Sequence, residues 1–431
     1  MLTDSYSVNS KGHLCLGGAD TVELAKEFGT PLYVFDENDI RNNCKNFKEA
    51  FDEYYNGNAL VLYASKAFSC KEMYRLVNSE GLGTDVVSGG ELYTALAAGF
   101  PSEKIYFHGN NKTENEIEYA LDSKIGRIVA DNIYELETID RIAKKKGIKA
   151  QILFRIKPGI DAHTHDFIKT GQIDCKFGFA IENGEAYEAV KKTITLENVE
   201  LVGIHCHIGS QIFETEPFVL AADVMIGFAD KIRKELNVNL MEINFGGGYG
   251  IKYLDSHKPV SKKESVKLLC TAVKKACADY DYPLPKLIIE PGRSIVGAST
   301  LTLYKIGAVK TIKDVRTYVS VDGGMSDNPR YALYGAEYEA VVANKADKPR
   351  DFEATIAGKC CESGDLIQEN TMIQTPEVND TLAVLATGAY NYSMASNYNR
   401  IPRPAAIMVK DGKARLIIKR ETYQDILRND I

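Results

Sequence analysis

The chain has 431 residues, 45% of them apolar and 26% charged, which is more than one ordinary core buries and predicts a globular protein of two domains. Its 52 basic and 59 acidic side chains are mixed along the chain for a net charge of −7, which excludes the basic stripe of a nucleic-acid binder, so an anionic ligand needs a local arginine cluster. Nine cysteines without framework spacing, no signal-peptide pattern and no apolar run long enough to cross a bilayer lead us to expect a cytoplasmic protein that is no membrane partner.

In chain order, residues 2–35 show short strand-like pieces (14–16 and 32–35) around a helix, Thr21–Phe28, stopped by Gly29 and Pro31. A helix with apolar residues at helical spacing (Ile40, Cys44, Phe47, Phe51) runs to Tyr55. Eight strand-like runs then begin near positions 59, 83, 104, 127, 151, 201, 241 and 287, most of them ending in polar or glycine chemistry. Helical stretches at 90–98, 113–120, 133–146, 184–192, 216–236 and 264–280 separate most of them. Eight strands alternating with helices, with reactive groups at the strand ends, predict an α/β fold, a TIM-like (β/α)8 barrel. After Ser294 the pattern turns β-rich, with strands at 301–311, 317–322, 353–358 and 382–386. A hairpin over 406–419 follows, and its Asp411-Gly412 turn tolerates positive φ. The predicted division is a barrel over 38–294 and a second, mostly antiparallel β domain built from 1–37 and 295–431.

The chemistry gathers at the strand ends. Lys66, flanked by apolar strand residues, must snorkel, pair with an acid or be used covalently; its position at a barrel rim suggests Schiff-base chemistry. Gly246, Gly247 and Gly248 after the seventh strand fit neither a Walker nor a Rossmann loop. They read as a phosphate cup or as a tight structural turn. Glu290-Pro291-Gly292-Arg293 presents an acid and an arginine at one rim, either as an ion pair or as partners for a pyridine nitrogen and an anion. His205-Cys206-His207 could suggest zinc, but alternation puts only the two histidines on one face and no second pair completes a tetrahedral site. A ring stacked on a planar cofactor, with Ser210 near its phosphate, is the more economical reading. Cys360 and Cys361 form either a strained vicinal disulfide or a proton-donating thiol beside a carboxylate.

Several motifs together resemble one family: Tyr63–Ala67, Asp85–Glu91, His108–Lys112, His205–Gln211, Glu290–Arg293, Arg330–Gly335, Cys361–Asp365 and Gly388–Met394. The chain resembles the fold-type III pyridoxal-phosphate (PLP) decarboxylases over nearly its whole length, and their diaminopimelate branch most closely. The resemblance implies that Lys66 carries PLP, His207 stacks on its ring and Glu290 pairs with the ring nitrogen. Gly248, the backbone of Gly292 and Ser210 would bind its phosphate, and Gly246, Gly247, Pro291 and Arg293 would also contact the cofactor. Arg293, Arg330 and Tyr334 would take a substrate carboxylate. Cys361, as proton donor, and Glu362, as partner of the distal ammonium, would arrive from a second subunit of a homodimer. Tyr390 would touch both cofactor and substrate.

The implied reaction is decarboxylation of meso-2,6-diaminopimelate at its D-centre to L-lysine and CO2, the last step of lysine biosynthesis. The alternatives are a decarboxylase of the same fold acting on arginine, ornithine or a carrier-bound amino acid, a racemase, or a non-catalytic PLP-binding protein. Asp85, Glu91, His108 and Arg155 sit at strand ends as supports or participants.

Overall fold

The computed structural model describes residues 3–160 and 174–431. Backbone contacts divide the chain into two compact units, one formed by 43–250 and 259–292, the other by 1–42, 251–258 and 293–431.

The first unit is an eight-stranded parallel barrel, as the alternation predicts. Its strands are β1 (Ala59–Ala64), β2 (Gly83–Val86), β3 (Ile105–Phe107), β4 (Arg127–Ala130), β5 (Ala150–Lys157), β6 (Val199–His205), β7 (Glu242–Asn244) and β8 (Lys286–Ile289). They pair in that order, and β8 pairs back to β1 to close the ring. A two-residue strand, Phe179–Ala180, adds to the end of β5.

Leu62, Tyr106, Val129, Leu153 and Ile288 fill the ring, each almost wholly buried. Burial of such side chains stabilises the fold by roughly 1.5–3 kcal/mol apiece. Glu242 closes the N-terminal end of the ring. It accepts from Arg127 Nε (3.1 Å) and Nη2 (2.8 Å) and from the Tyr106 hydroxyl (3.1 Å), so the buried charge is paired. The opposite, C-terminal end therefore remains for chemistry.

The second unit is built on a sheet whose longest strand, Thr300–Ile312, pairs with three others. One partner is the N-terminal strand Leu32–Asp36, which also runs parallel to Ala405–Lys410. The N-terminal pieces thus join the β unit, although Tyr6–Val8, Leu14–Leu16 and Ala19–Asp20 form a small sheet of their own. In the last hairpin Asp411 and Gly412 take φ of 50° and 75°, the left-handed pair a tight two-residue turn requires. Among the elements absent from the sequence reading are the strands Ala340–Val342 and Leu366–Ile373 and one barrel helix, Lys71–Ser79.

Candidate active site

Lys66 lies in a single tight turn, Ser65–Ala67, that leaves the C-terminal end of β1; its two neighbours are buried while Lys66 itself is exposed. Two acids from the next strand and helix hold that turn. Asp85 accepts the Ser65 N–H at 3.1 Å, and Glu91 Oε2 accepts both the Ser65 hydroxyl and the Val87 N–H at 2.8 Å. Burial pushes the Asp85 carboxyl well up, and the charge of Glu290 adds to the rise while the Lys66 ammonium opposes it. Both acids thus hydrogen-bond the segment that carries Lys66.

Glu290, one residue beyond β8, is the most elaborately held group of the barrel. His108 Nε2 stands 2.7 Å from its Oε1, Asn244 Nδ2 donates to the same oxygen at 2.6 Å, and His205 Nε2 hydrogen-bonds Oε2 at 3.1 Å. Burial would favour the neutral acid, but the imidazoles of His108 and His205 against its oxygens hold Glu290 well below the usual carboxylate range. Burial also pushes His205 down to about 4, so near neutral pH it is an uncharged imidazole that donates from Nε2. Among the described residues each oxygen takes one hydrogen bond, from Asn244 at Oε1, where the His108 imidazole also crowds in, and from His205 at Oε2, which leaves Oε2 a lone pair for a further cation. His108, His205 and Glu290 place ligand-type atoms within 4.8 Å of one another. Arg155 stacks on the Phe177 ring at 4.2 Å, and its charge bears on Asp131 and Glu290.

His207 follows β6. Its Nδ1 accepts the Gly247 N–H at 3.2 Å, which places the ring proton on Nε2, and desolvation together with the Lys66 charge holds the ring neutral. The glycine loop after β7 is a close approach of backbones. A Cβ at Gly247 would stand 2.3 Å from the Glu290 carbonyl oxygen, and one at Gly248, where φ is +111°, would stand 2.6 Å from that of Gly209. Ser210 is the next residue after Gly209. The Gly246 N–H is spent on Asn244 Oδ1 at 2.9 Å, whereas the N–H groups of Gly248 and Gly292 have no protein acceptor among the described residues. The turn is tight because the backbones crowd, and the Gly248 N–H in it, like the Gly292 N–H after β8, is left without a protein acceptor.

In the β unit, Arg293 and Arg330 converge on one phenol. Tyr253 OH accepts from Arg293 Nη1 at 2.6 Å and from Arg330 Nη1 at 3.3 Å, and Arg330 also donates to the Tyr338 hydroxyl at 2.7 Å. The Arg293 guanidinium lies 4.8 Å from the centre of the Tyr390 ring. Tyr390 takes a φ of +66°, a strained backbone for a non-glycine residue, next to Asn391, which donates to the Thr387 carbonyl and the Tyr338 hydroxyl. Tyr334 is half-buried at the end of the short helix that Arg330 begins.

Cys360 and Cys361 are both free thiols, the first buried and the second exposed beside exposed Glu362. Buried Asp365 fixes their loop, accepting the N–H groups of Cys360 at 2.6 Å and Met325 at 2.5 Å. Asn244, which holds Glu290, and Tyr253 and Tyr338, which hold the arginines, were not singled out from the sequence. The one signal for Asn244 was its place at the end of a barrel strand.

The model of the pyridoxal-dependent decarboxylases' pyridoxal-binding domain matches residues 37–297. The diaminopimelate decarboxylase of Bacillus subtilis (strain 168) is 50% identical over 425 residues, 98% of this chain and 96% of that protein. That of Bacillus methanolicus is 52% identical over 414 residues, 96% of each chain. The chain belongs to the diaminopimelate decarboxylase family. Among solved structures, the family's enzyme from M. jannaschii in complex with L-lysine matches with a TM-score of 0.92 at 37% identity, covering 100% of this chain and 99% of that one. The family's cofactor fits the residues present: an exposed lysine amine, a buried carboxylate with one lone pair in reserve, and two amides without acceptors. No described helix is long and apolar enough to cross a membrane.

Proposed function

We propose that the protein removes the carboxylate at the D-centre of meso-2,6-diaminopimelate to give L-lysine and CO2, using pyridoxal phosphate. The observation that carries the chemistry is Glu290, an ionised carboxylate hydrogen-bonded by Asn244 and His205 beside the His108 imidazole, with a lone pair left to keep a proton on a pyridine nitrogen. The bound cofactor supplies the electron sink that receives the electrons of the departing carboxylate. Lys66 holds the cofactor covalently through its amine, on a turn fixed by Asp85 and Glu91. Neutral His207 offers a flat, uncharged ring face for stacking. The amides of Gly248 and Gly292, with Ser210, bind the phosphate. Gly246, Gly247 and Pro291 shape that end of the site.

Arg330 is a buried guanidinium whose acceptors among the described residues are two tyrosine hydroxyls and no carboxylate, so a substrate carboxylate is its natural counter-ion. Arg293, Tyr334 and Tyr390 complete that end of the substrate. The Cys361 thiol returns the proton to the carbon that lost CO2, and Glu362 receives the distal ammonium. Both stand exposed on a single chain, which supports their use by a second copy of it in a homodimer with shared sites. We place the enzyme in the cytoplasm.

A panel of amino acids assayed by CO2 release tests the substrate. Meso-diaminopimelate should be turned over, and arginine and ornithine, which lack a second carboxylate for the arginines, should not. Preferred release from arginine or ornithine would move the enzyme to another branch of the fold, and no release from any of them would leave a protein that only binds the cofactor.

A further inference from the structure

The phenol of Tyr253 takes two buried cations and returns no negative charge. Arg293 Nη1 donates to it at 2.6 Å and Arg330 Nη1 at 3.3 Å, and the three side chains are each at most 9% exposed. Two guanidiniums that share one small acceptor repel each other, so a third group must set their separation. Tyr253 is fixed from several sides. Its ring stands edge-on to Tyr338 at 5.4 Å and 86°, and its N–H donates to His257 Nδ1 at 3.3 Å. Tyr338 in turn accepts from Arg330 Nη1 at 2.7 Å and from Asn391 Nδ2 at 3.2 Å. Burial would raise the Tyr253 phenol, yet the charges of Arg293 and Arg330 outweigh it and draw the phenol below its ordinary value, which reports how strongly the oxygen feels both cations.

We propose that Tyr253 is a positioning residue that locks Arg293 and Arg330 into a single preset fork for the carboxylate that the substrate keeps. This rests on the reading that the two arginines bind that carboxylate. The fork is then paid for in the folded protein, because the phenol oxygen holds both donors at one place before the substrate arrives. The retained carboxylate does not change in the reaction, so the fork binds ground state and transition state alike. Its loss should appear in KM and not in kcat.

The test is Tyr253→Phe in the holoenzyme, which keeps the ring and its packing against Tyr338 and removes only the shared acceptor. We expect KM for meso-diaminopimelate to rise on the order of tenfold, as for loss of a hydrogen bond to a charged group, with kcat within about twofold and the cofactor absorbance unchanged. The inhibition constant of L-lysine, which keeps the same carboxylate, should rise in parallel, a shift that a merely structural defect would not produce alone. Arg330→Gln is measured beside it. If Arg330→Gln raises KM and Tyr253→Phe leaves KM unchanged or lowers it, the positioning role is overturned while the carboxylate reading stands. If Arg330→Gln itself leaves KM unchanged, the carboxylate reading falls, and the fork falls with it. A drop in kcat or loss of cofactor in Tyr253→Phe also overturns the proposal.

Discussion

Replacing Glu290 with glutamine is expected to lower turnover by on the order of 10²-fold or more while the cofactor stays bound, the size associated with losing a positioned electrostatic group. His205 and Asn244 donate to the two carboxylate oxygens with the His108 imidazole against them, and the carboxylate's charge keeps a proton on whatever ring nitrogen meets its remaining lone pair. Glutamine keeps the shape and removes that charge, and its amide hydrogens would also confront the Nε2–H of His205 or His108. A ring nitrogen that loses its proton is a poorer electron sink, so loss of CO2 slows. Binding through Lys66 does not depend on that proton, so the cofactor's absorbance should persist. Turnover within a few-fold of the parent enzyme would contradict the role given to Glu290.

Mixing two inactive variants is expected to restore activity from nothing. Lys66→Ala removes the covalent anchor and Cys361→Ala the proton donor. In a twofold dimer whose sites combine Lys66 of one subunit with Cys361 of the other, the mixed dimer holds one site with both defects and one with neither. Random reassortment makes half the dimers mixed, so about a quarter of the parental activity should return. Subunit exchange is verified separately by mass spectrometry of the assembled dimers. Activity that stays at background after demonstrated exchange would place Cys361 in its own chain's site and end the shared-site model.

The barrel was legible because its strands are short apolar runs, most of them ended by polar or glycine chemistry. The ring those runs predict is the one that forms, from Ala59–Ala64 round to Lys286–Ile289. Lys71–Ser79 escaped notice for a local reason: its first residue follows Cys70, which makes no side-chain cap, so no start signal marks it. Leu366–Ile373 escaped because its run of Gln368, Glu369, Asn370 and Thr371 lacks clean alternation; buried Gln368 has its amide oxygen taken by the Tyr338 N–H at 2.9 Å.

In the site, Lys66, Glu290 and the glycine loop were visible as residue types at strand ends. The closure of His108 and Asn244 on Glu290 was not, since it requires knowing that side chains from distant strand ends converge inside one ring. Tyr253 is the clearest case of what a linear reading lacks. Nothing near it in sequence sets it apart, and its partners lie 40 and 77 residues away.

Borohydride reduction of the purified, cofactor-loaded protein followed by peptide mapping tests the central assignment most directly. The protein should be yellow, lose that colour on reduction, and carry one pyridoxyl label on the peptide that contains Lys66. A label on any other lysine, or a protein that takes up no pyridoxal phosphate, would contradict the account.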